Sequence, residues 1–287
     1  MEIRAFRWYG GKLRVVNELR FLIPPHKAYY EPFMGSAALL LNHQRSELEV
    51  ANDLDRELVH FMKTLADREK GRALVERLPK LWFDRASFDE AMEHKKHGYR
   101  GLDDIEKSAM IFTLVSQSFN GERKSFSKQA FKDTNDFRQS IMLHIPKVYE
   151  RLEGVHILNM DGIDVLARIA DNENAFGFVD PPYRHNLRGV GADKAYACEL
   201  PHSEQVRLLK TIRHAKCKII LCGYRNENGR DLYSTYLLPH GWKCYLLKEL
   251  AKNSQLKAKR DMGREFIWVN YELPDIAKYV MSMRTYG

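Results

Sequence analysis

Short apolar runs recur along this chain, each closed by a turn-forming or acidic residue, and most are followed by a stretch with helical periodicity. Ala28–Glu31, Leu48–Ala51, Val155–Leu158, Phe176–Val179 and Lys218–Cys222 read as strands. Leu13, Val16, Leu19 and Leu22 share one helical face, and Pro24-Pro25 ends that helix. Further helices are predicted from Ala37 onward, from about Asp55 to Leu65, over Ile163–Ile169 and over Ser203–Ala215. Tyr245–Leu247 and Phe266–Tyr271 read as an antiparallel pair. Between about Asp67 and Tyr149 the texture changes. That segment is helical, rich in Lys, Arg and Glu, and lacks strand–helix alternation, with Asn120-Gly121 marking a turn. The pattern predicts one α/β domain built from residues 1–60 and 150–287, interrupted by a helical insertion over 61–149.

Ligands of open α/β sheets sit outside the carboxyl ends of the strands. Gly35, Asp53, Asp161 and Asp180 all lie just past a predicted strand end, and that convergence marks a binding edge. The most specific motif there is Asp180-Pro181-Pro182-Tyr183. Two prolines remove two backbone donors and leave carbonyls without ladder partners. An acceptor-only carboxylate beside a free carbonyl suits an amino group that carries hydrogens, and the tyrosine offers a face to a planar partner. The same four residues also read as a plain proline turn after a strand.

Glu31-Pro32-Phe33-Met34-Gly35-Ser36 turns from strand to helix through a glycine, which lets a ligand approach backbone and helix N-terminus. Asp53 follows the next strand, about 20 positions on, the order used for nucleoside-containing cofactors. A carboxylate there accepts ribose hydroxyls; its alternative role is to cap the following helix. Trp8 and Lys12 flank the Gly10-Gly11 pair. As isolated residues they read as a buried indole and a solvated cation.

Composition narrows the picture. The 287 residues are 44% hydrophobic and 29% charged, as in an ordinary globular protein, and the net charge of +8 leans towards a polyanionic partner. Arg123, Lys124, Lys128 and Lys132 in the insertion, and Lys252, Lys257, Lys259, Arg260 and Arg264 near the end, are the candidate phosphate contacts; short basic runs also occur as solvated faces. The four cysteines show no CxxC spacing, so neither a zinc site nor a disulfide framework is predicted, and a reduced cytoplasmic setting fits. No secretory signal or membrane-length apolar run is read.

Taken together, Trp8-Tyr9-Gly10-Gly11-Lys12, Glu31-Pro32-Phe33-Met34-Gly35-Ser36, Asn52-Asp53-Leu54-Asp55 and Asp180-Pro181-Pro182-Tyr183 resemble, in content and order, the Dam-type (alpha-group) DNA adenine-N6 methyltransferases. The Ser118-Phe119-Asn120-Gly121 loop and the Gly263–Trp268 segment are similar as well, so the resemblance spans nearly the whole chain. It implies a Rossmann-like sheet that binds S-adenosyl-L-methionine without a metal, with the insertion as a target-recognition domain. It places Trp8, Lys12, Asp53, Asp161 and Asp180 at the cofactor, Gly35 in the cofactor loop, and Asp180, Pro181, Pro182 and Tyr183 at a flipped adenine of double-stranded DNA. It implies a site-specific enzyme, monomeric by default, of bacterial, prophage or phage origin, with a cognate restriction endonuclease as an open partner.

Two positions depart from the family. Ala37 stands where many relatives have a second glycine, which predicts a tighter loop. The segment 120–136 does not match the GATC-reading members, so the target sequence is unread. A cytosine-N4 or RNA adenine methyltransferase, and a catalytically silent DNA-binding module, are the alternative readings.

Overall fold

The computed structural model describes residues 2–8, 10–182, 200–225, 231–251 and 262–282. In chain order its strands are β1 (Ala28–Glu31), β2 (Leu48–Asn52), β3 (His156–Leu158), β4 (Ala175–Val179), β5 (Lys218–Tyr224), β6 (Lys243–Ala251) and β7 (Met262–Val269). The helices are α1 (Val16–Leu22), α2 (Ala38–Asn42), α3 (Arg56–Ala66), α4 (Arg68–Arg77), α5 (Arg85–Lys96), α6 (Asp104–Ser116), α7 (Thr134–Leu152), α8 (Gly162–Ile169), α9 (His202–Ile212), α10 (Leu232–Leu237) and α11 (Asp275–Ser282). The chain divides into two compact units. The first comprises Met1–Leu13, Gly35–His43 and Asp55–Asn159; the second comprises Arg14–Met34, Gln44–Leu54 and Met160–Gly287.

Strands of the second unit lie in the order β2-β1-β4-β5-β7-β6. β2, β1, β4 and β5 run parallel, and β7 pairs antiparallel with both β5 and β6. All five residues of β4 are buried, as expected for a parallel strand covered on both faces. Leu166 and Ile169 of α8 and Leu208, Leu209 and Ile212 of α9 share one core with Ala175, Val179, Ile219 and Leu221. The terminal hairpin is longer than the apolar pattern predicts. Backbone pairing carries it through polar Lys248, past a register irregularity between Leu246 and Lys248.

β1 is flanked by β2 on one side and β4 on the other. Strand order therefore reverses at β1, and the β1/β4 boundary is a topological switch point. One side chain ties the loops at this edge. The Asn52 amide, fully buried at the end of β2, donates to the Pro32 and Met160 carbonyls at 2.9 Å each, and its Oδ1 accepts from the Met160 N–H at 2.9 Å. The Asn52 carbonyl in turn accepts from the Met34 N–H at 2.8 Å.

The first unit is helical, and aspartates start its longer helices. Asp55, Asp67, Asp84, Asp103 and Asp133 accept from the first-turn N–H groups of α3, α4, α5, α6 and α7. Phenylalanines fill the space between them: Phe61 stacks on Phe112 with ring centroids 5.6 Å apart, and Phe112 on Phe137 at 6.1 Å.

Replacing Asn52 tests the loop tie. Asn52→Ala leaves the Pro32 and Met160 groups without their partner in a buried setting, so it should lower unfolding stability by about 2–4 kcal/mol. Urea denaturation followed by circular dichroism measures this, and a loss below about 0.5 kcal/mol would show that the loops hold without the Asn52 side chain.

Candidate functional site

In the second unit the predicted site residues gather at the carboxyl edge of the parallel strands. Asp180 follows β4 directly and is half-buried, Pro181 is buried and Pro182 half-buried. Beside them, at the end of β1, Glu31 is buried and its Oε2 accepts from the Tyr29 hydroxyl at 2.9 Å. Asp53, half-buried, stands one residue beyond β2. The helix after it is capped by Asp55, whose Oδ1 accepts from the Glu57 and Leu58 N–H groups at 3.1 Å each. The capping role weighed for Asp53 therefore belongs to its neighbour two residues on.

Asp161 is the N-cap of α8, accepting from the Ile163 N–H at 2.7 Å. Its second oxygen accepts from Arg207 at 3.0 Å, and Arg207 also bonds Glu204 at 2.8 Å and pairs with Asp164. Burial works to raise the Asp161 pKa. The Arg207 bond and the Ile163 N–H outweigh it and hold the carboxyl below the usual carboxylate range. Sequence reading missed Arg207, since its partners Asp161 and Asp164 lie more than forty positions upstream, and it read the Asn52-Asp53 pair through Asp53 alone. Tyr183 lies outside the described residues.

In the first unit, Trp8, Gly35 and the 119–121 turn come together. Gly35 has φ +48°, and a Cβ there would lie 2.9 Å from the Trp8 indole nitrogen; Gly121 has φ +77°, and a Cβ there would lie 3.1 Å from the other edge of the indole. Both positions need glycine for their backbone and for the ring they admit. Phe6 packs beside Trp8 at 5.8 Å between centroids, and the Arg123 guanidinium lies 5.7 Å from the indole. Lys12, expected as a solvated cation when taken alone, is only 4% exposed and donates to the Gly10 carbonyl at 3.2 Å. Ala37 adopts the left-handed conformation, φ 53° and ψ 35°, at the start of α2. That backbone region favours glycine, so the alanine is strained there.

Arg123 sits differently from an exposed cation. It is 8% exposed, donates to Asp55 at 3.1 Å and to Glu57 at 2.9 Å, and pairs with the second Asp55 oxygen. Glu57 also accepts from the Tyr99 hydroxyl at 2.8 Å and from Lys95 at 2.9 Å. The structure thus turns Arg123 inward as the buried hub of a half-buried charge network, because two carboxylates wait for it there. Lys124, Lys128 and Lys132 are exposed. Their loop is pinned from beneath: the Ser127 N–H donates to the Gln117 carbonyl at 2.8 Å, and Phe126 and Phe131 pack on Phe83 at 5.3 and 5.5 Å. Arg264 is exposed on β7, and Lys252, Lys257, Lys259 and Arg260 lie outside the described residues.

Residues 8–247 match the family model for D12 class N6 adenine-specific DNA methyltransferases. The chain belongs to that family. The D12 assignment bears out the methyltransferase resemblance and agrees with the α/β class read from the motifs. A DNA N-6-adenine-methyltransferase of Escherichia phage P1 is 24% identical over 244 residues, which cover 81% of this chain and 31% of the phage protein. This D12 chain therefore spans about a third of the length of that relative. Among solved structures, precorrin 8w decarboxylase of Methanobacterium thermoautotrophicum aligns at 11% identity over 95% of this chain and 100% of that one, with a TM-score of 0.42. Protein LPL1258 of Legionella pneumophila aligns at 11% identity over 95% and 88%, with a TM-score of 0.32. Likenesses at that level carry no argument about the D12 chain. Among the described residues no helix is long and apolar enough to cross a membrane.

Two outcomes follow from the first unit. Arg123→Gln leaves the half-buried Asp55 and Glu57 without their shared guanidinium and should cost about 1–3 kcal/mol in chemical unfolding near neutral pH. Burial opposes the Asp55 charge, but Arg123 and two N–H groups outweigh it, so the folded pKa lies below the ordinary value. A depressed carboxylate contributes stability above its unfolded pKa of about 3.9 and loses it as pH falls through the folded value. The gap between wild type and Arg123→Gln should therefore narrow on acidification below about pH 4; a gap independent of pH would contradict the pairing.

Ala37→Gly relieves a left-handed alanine and should raise stability by about 0.5–1 kcal/mol, whereas Ala37→Val should lower it by more than about 1 kcal/mol. Melting temperatures of the pair check the sign.

Proposed function

We propose that this chain is an S-adenosyl-L-methionine-dependent enzyme that methylates the N6 amine of adenine in double-stranded DNA. The observation that carries the reading is the position of Asp180-Pro181-Pro182 at the carboxyl end of β4, beside the end of β1, at the switch point of the sheet. Membership of the D12 family supports the adenine substrate.

The donor set fits a nucleoside-bearing cofactor. Asp53 is not used as the cap of α3 and stands half-buried just past β2, which supports assigning it to a ribose diol. Asp161 offers a second carboxylate at the start of α8, held charged by Arg207. Trp8, Lys12 and Gly35 are assigned to the cofactor on the sequence resemblance. Bound there, S-adenosyl-L-methionine supplies an electrophilic methyl group on a sulfonium.

The remaining work falls to the chain. The adenine amine is stacked inside the duplex, so the nucleotide is flipped out at a cost of a few kcal/mol. The Asp180 carboxylate and the Pro181 carbonyl accept the two N–H bonds of the amine and draw its lone pair out of conjugation with the ring. Tyr183 stacks on the base. Transfer is a direct displacement, and the contribution of these groups is positioning and electrostatics. Lys124, Lys128, Lys132 and the cations Lys252, Lys257, Lys259, Arg260 and Arg264 hold phosphates, each contact adding about −0.9 to the salt slope of log K.

Asp180→Ala is at a loop and should fold with an unchanged melting temperature. Its transfer of labelled methyl groups to duplex DNA should fall by at least about 10²–10³-fold. Near-native turnover would falsify the role of Asp180. Nucleoside analysis of the wild-type product should give N6-methyladenine; N4-methylcytosine, or label in RNA rather than DNA, would transfer the reading to those substrates.

A further inference from the structure

Arg207 holds more carboxylates than a surface cation needs. One nitrogen of its fork donates to Asp161 at 3.0 Å and to Glu204 at 2.8 Å, and the other pairs with Asp164. The guanidinium on α9 thereby grips the start of α8. All four side chains are partly exposed, and ion pairs of that kind add little to stability. What sets this one apart is where Asp161 stands.

The backbone on both sides of Asp161 is fixed. Asn52 bonds the N–H and the carbonyl of Met160 before it. After it, a Cβ at Gly162 would lie 2.7 Å from the Pro32 carbonyl oxygen and 2.7 Å from the tip of the Phe33 ring, so the first turn of α8 sits tightly against that loop. The side chain is held at both oxygens, one by the Ile163 N–H at 2.7 Å and the other by Arg207. A carboxylate has about four acceptor sites, and these bonds leave part of that capacity open. The Asp161 side chain is 35% exposed, so a ligand can reach it. Phe33 is half-buried beside it. An aromatic ring and an acceptor-only group thus stand together, the pair that the face and the amine of a purine require.

We propose that Arg207 is a positioning residue that holds the Asp161 carboxylate as the acceptor selecting the 6-amino edge of the cofactor's purine. That role rests on the cofactor reading of this edge. An ionised carboxylate accepts and never donates, so it bonds the amine of adenine and repels the 6-oxo group of hypoxanthine. Three carboxylates share one guanidinium, and the negative balance of these four groups favours the amine in the same direction.

The test is calorimetric binding to the full chain, with S-adenosyl-L-homocysteine and its deaminated analogue S-inosyl-L-homocysteine as probes. Wild type should prefer the adenosyl probe by at least about tenfold. Arg207 is 40% exposed, so Arg207→Gln should keep the fold. It should bind the adenosyl probe at least about fivefold more weakly and lower the preference at least about threefold. Asp161→Asn keeps a good cap for α8, and because an amide can offer either end it should remove most of the preference. Adding Arg207→Gln to Asp161→Asn should change neither affinity further. Wild-type binding by Arg207→Gln, equal loss of both probes, or a further loss in the double variant overturns the proposal and leaves Arg207 a surface ion pair. A wild type that binds both probes equally removes the purine contact while the cofactor reading stands. A wild type that binds neither overturns the cofactor reading, and the role of Arg207 with it.

Discussion

The carboxyl edge of the sheet depends on one buried amide. Asn52 uses both ends of its side chain on Met160 and reaches the Pro32 carbonyl as well, while its own carbonyl holds the Met34 N–H. Three loops are thereby fixed relative to one another: the one after β1, the one after β2, and the one that leads into α8. A site made of strand-end carboxylates needs this, because a carboxylate displaced by an ångström loses most of its value in positioning. An apolar residue of the same size could fill the space, but it could not partner the three backbone groups that the buried side chain holds.

Much of the sheet was legible because it is written in local pattern. Buried parallel strands are continuous apolar runs, and β1, β2, β4 and β5 begin and end within two residues of where those runs do. The hairpin of β6 and β7 was legible in type but not in length, since ladder pairing continues through Lys248 without regard to hydrophobicity. The Asp-capped helices of the first unit were visible as a helical texture. Their mutual packing through Phe61, Phe112 and Phe137 was not, because ring contacts depend on residues far apart in sequence.

At the site, residue type was easier to read than residue partner. The Asp180-Pro181-Pro182 motif and Asp53 stand at strand ends as read. The helix cap was misplaced by two residues, since Asp53 and Asp55 are chemically alike and only backbone geometry separates them. Arg123 is the sharper case. Within Glu122-Arg123-Lys124 nothing local distinguishes an inward guanidinium from an outward one. What decides it are carboxylates 68 and 66 positions earlier, Asp55 and Glu57, which are half-buried and carry the opposite charge.

The basic loop of the first unit separates two kinds of residue. Phe126 and Phe131 face inward onto Phe83 and hold the backbone, while Lys124, Lys128 and Lys132 are exposed. Mutations at the lysines therefore alter a surface without touching a core, and mutations at the phenylalanines do the reverse. The outward face of such a loop can be changed by single substitutions while the rings beneath keep its shape.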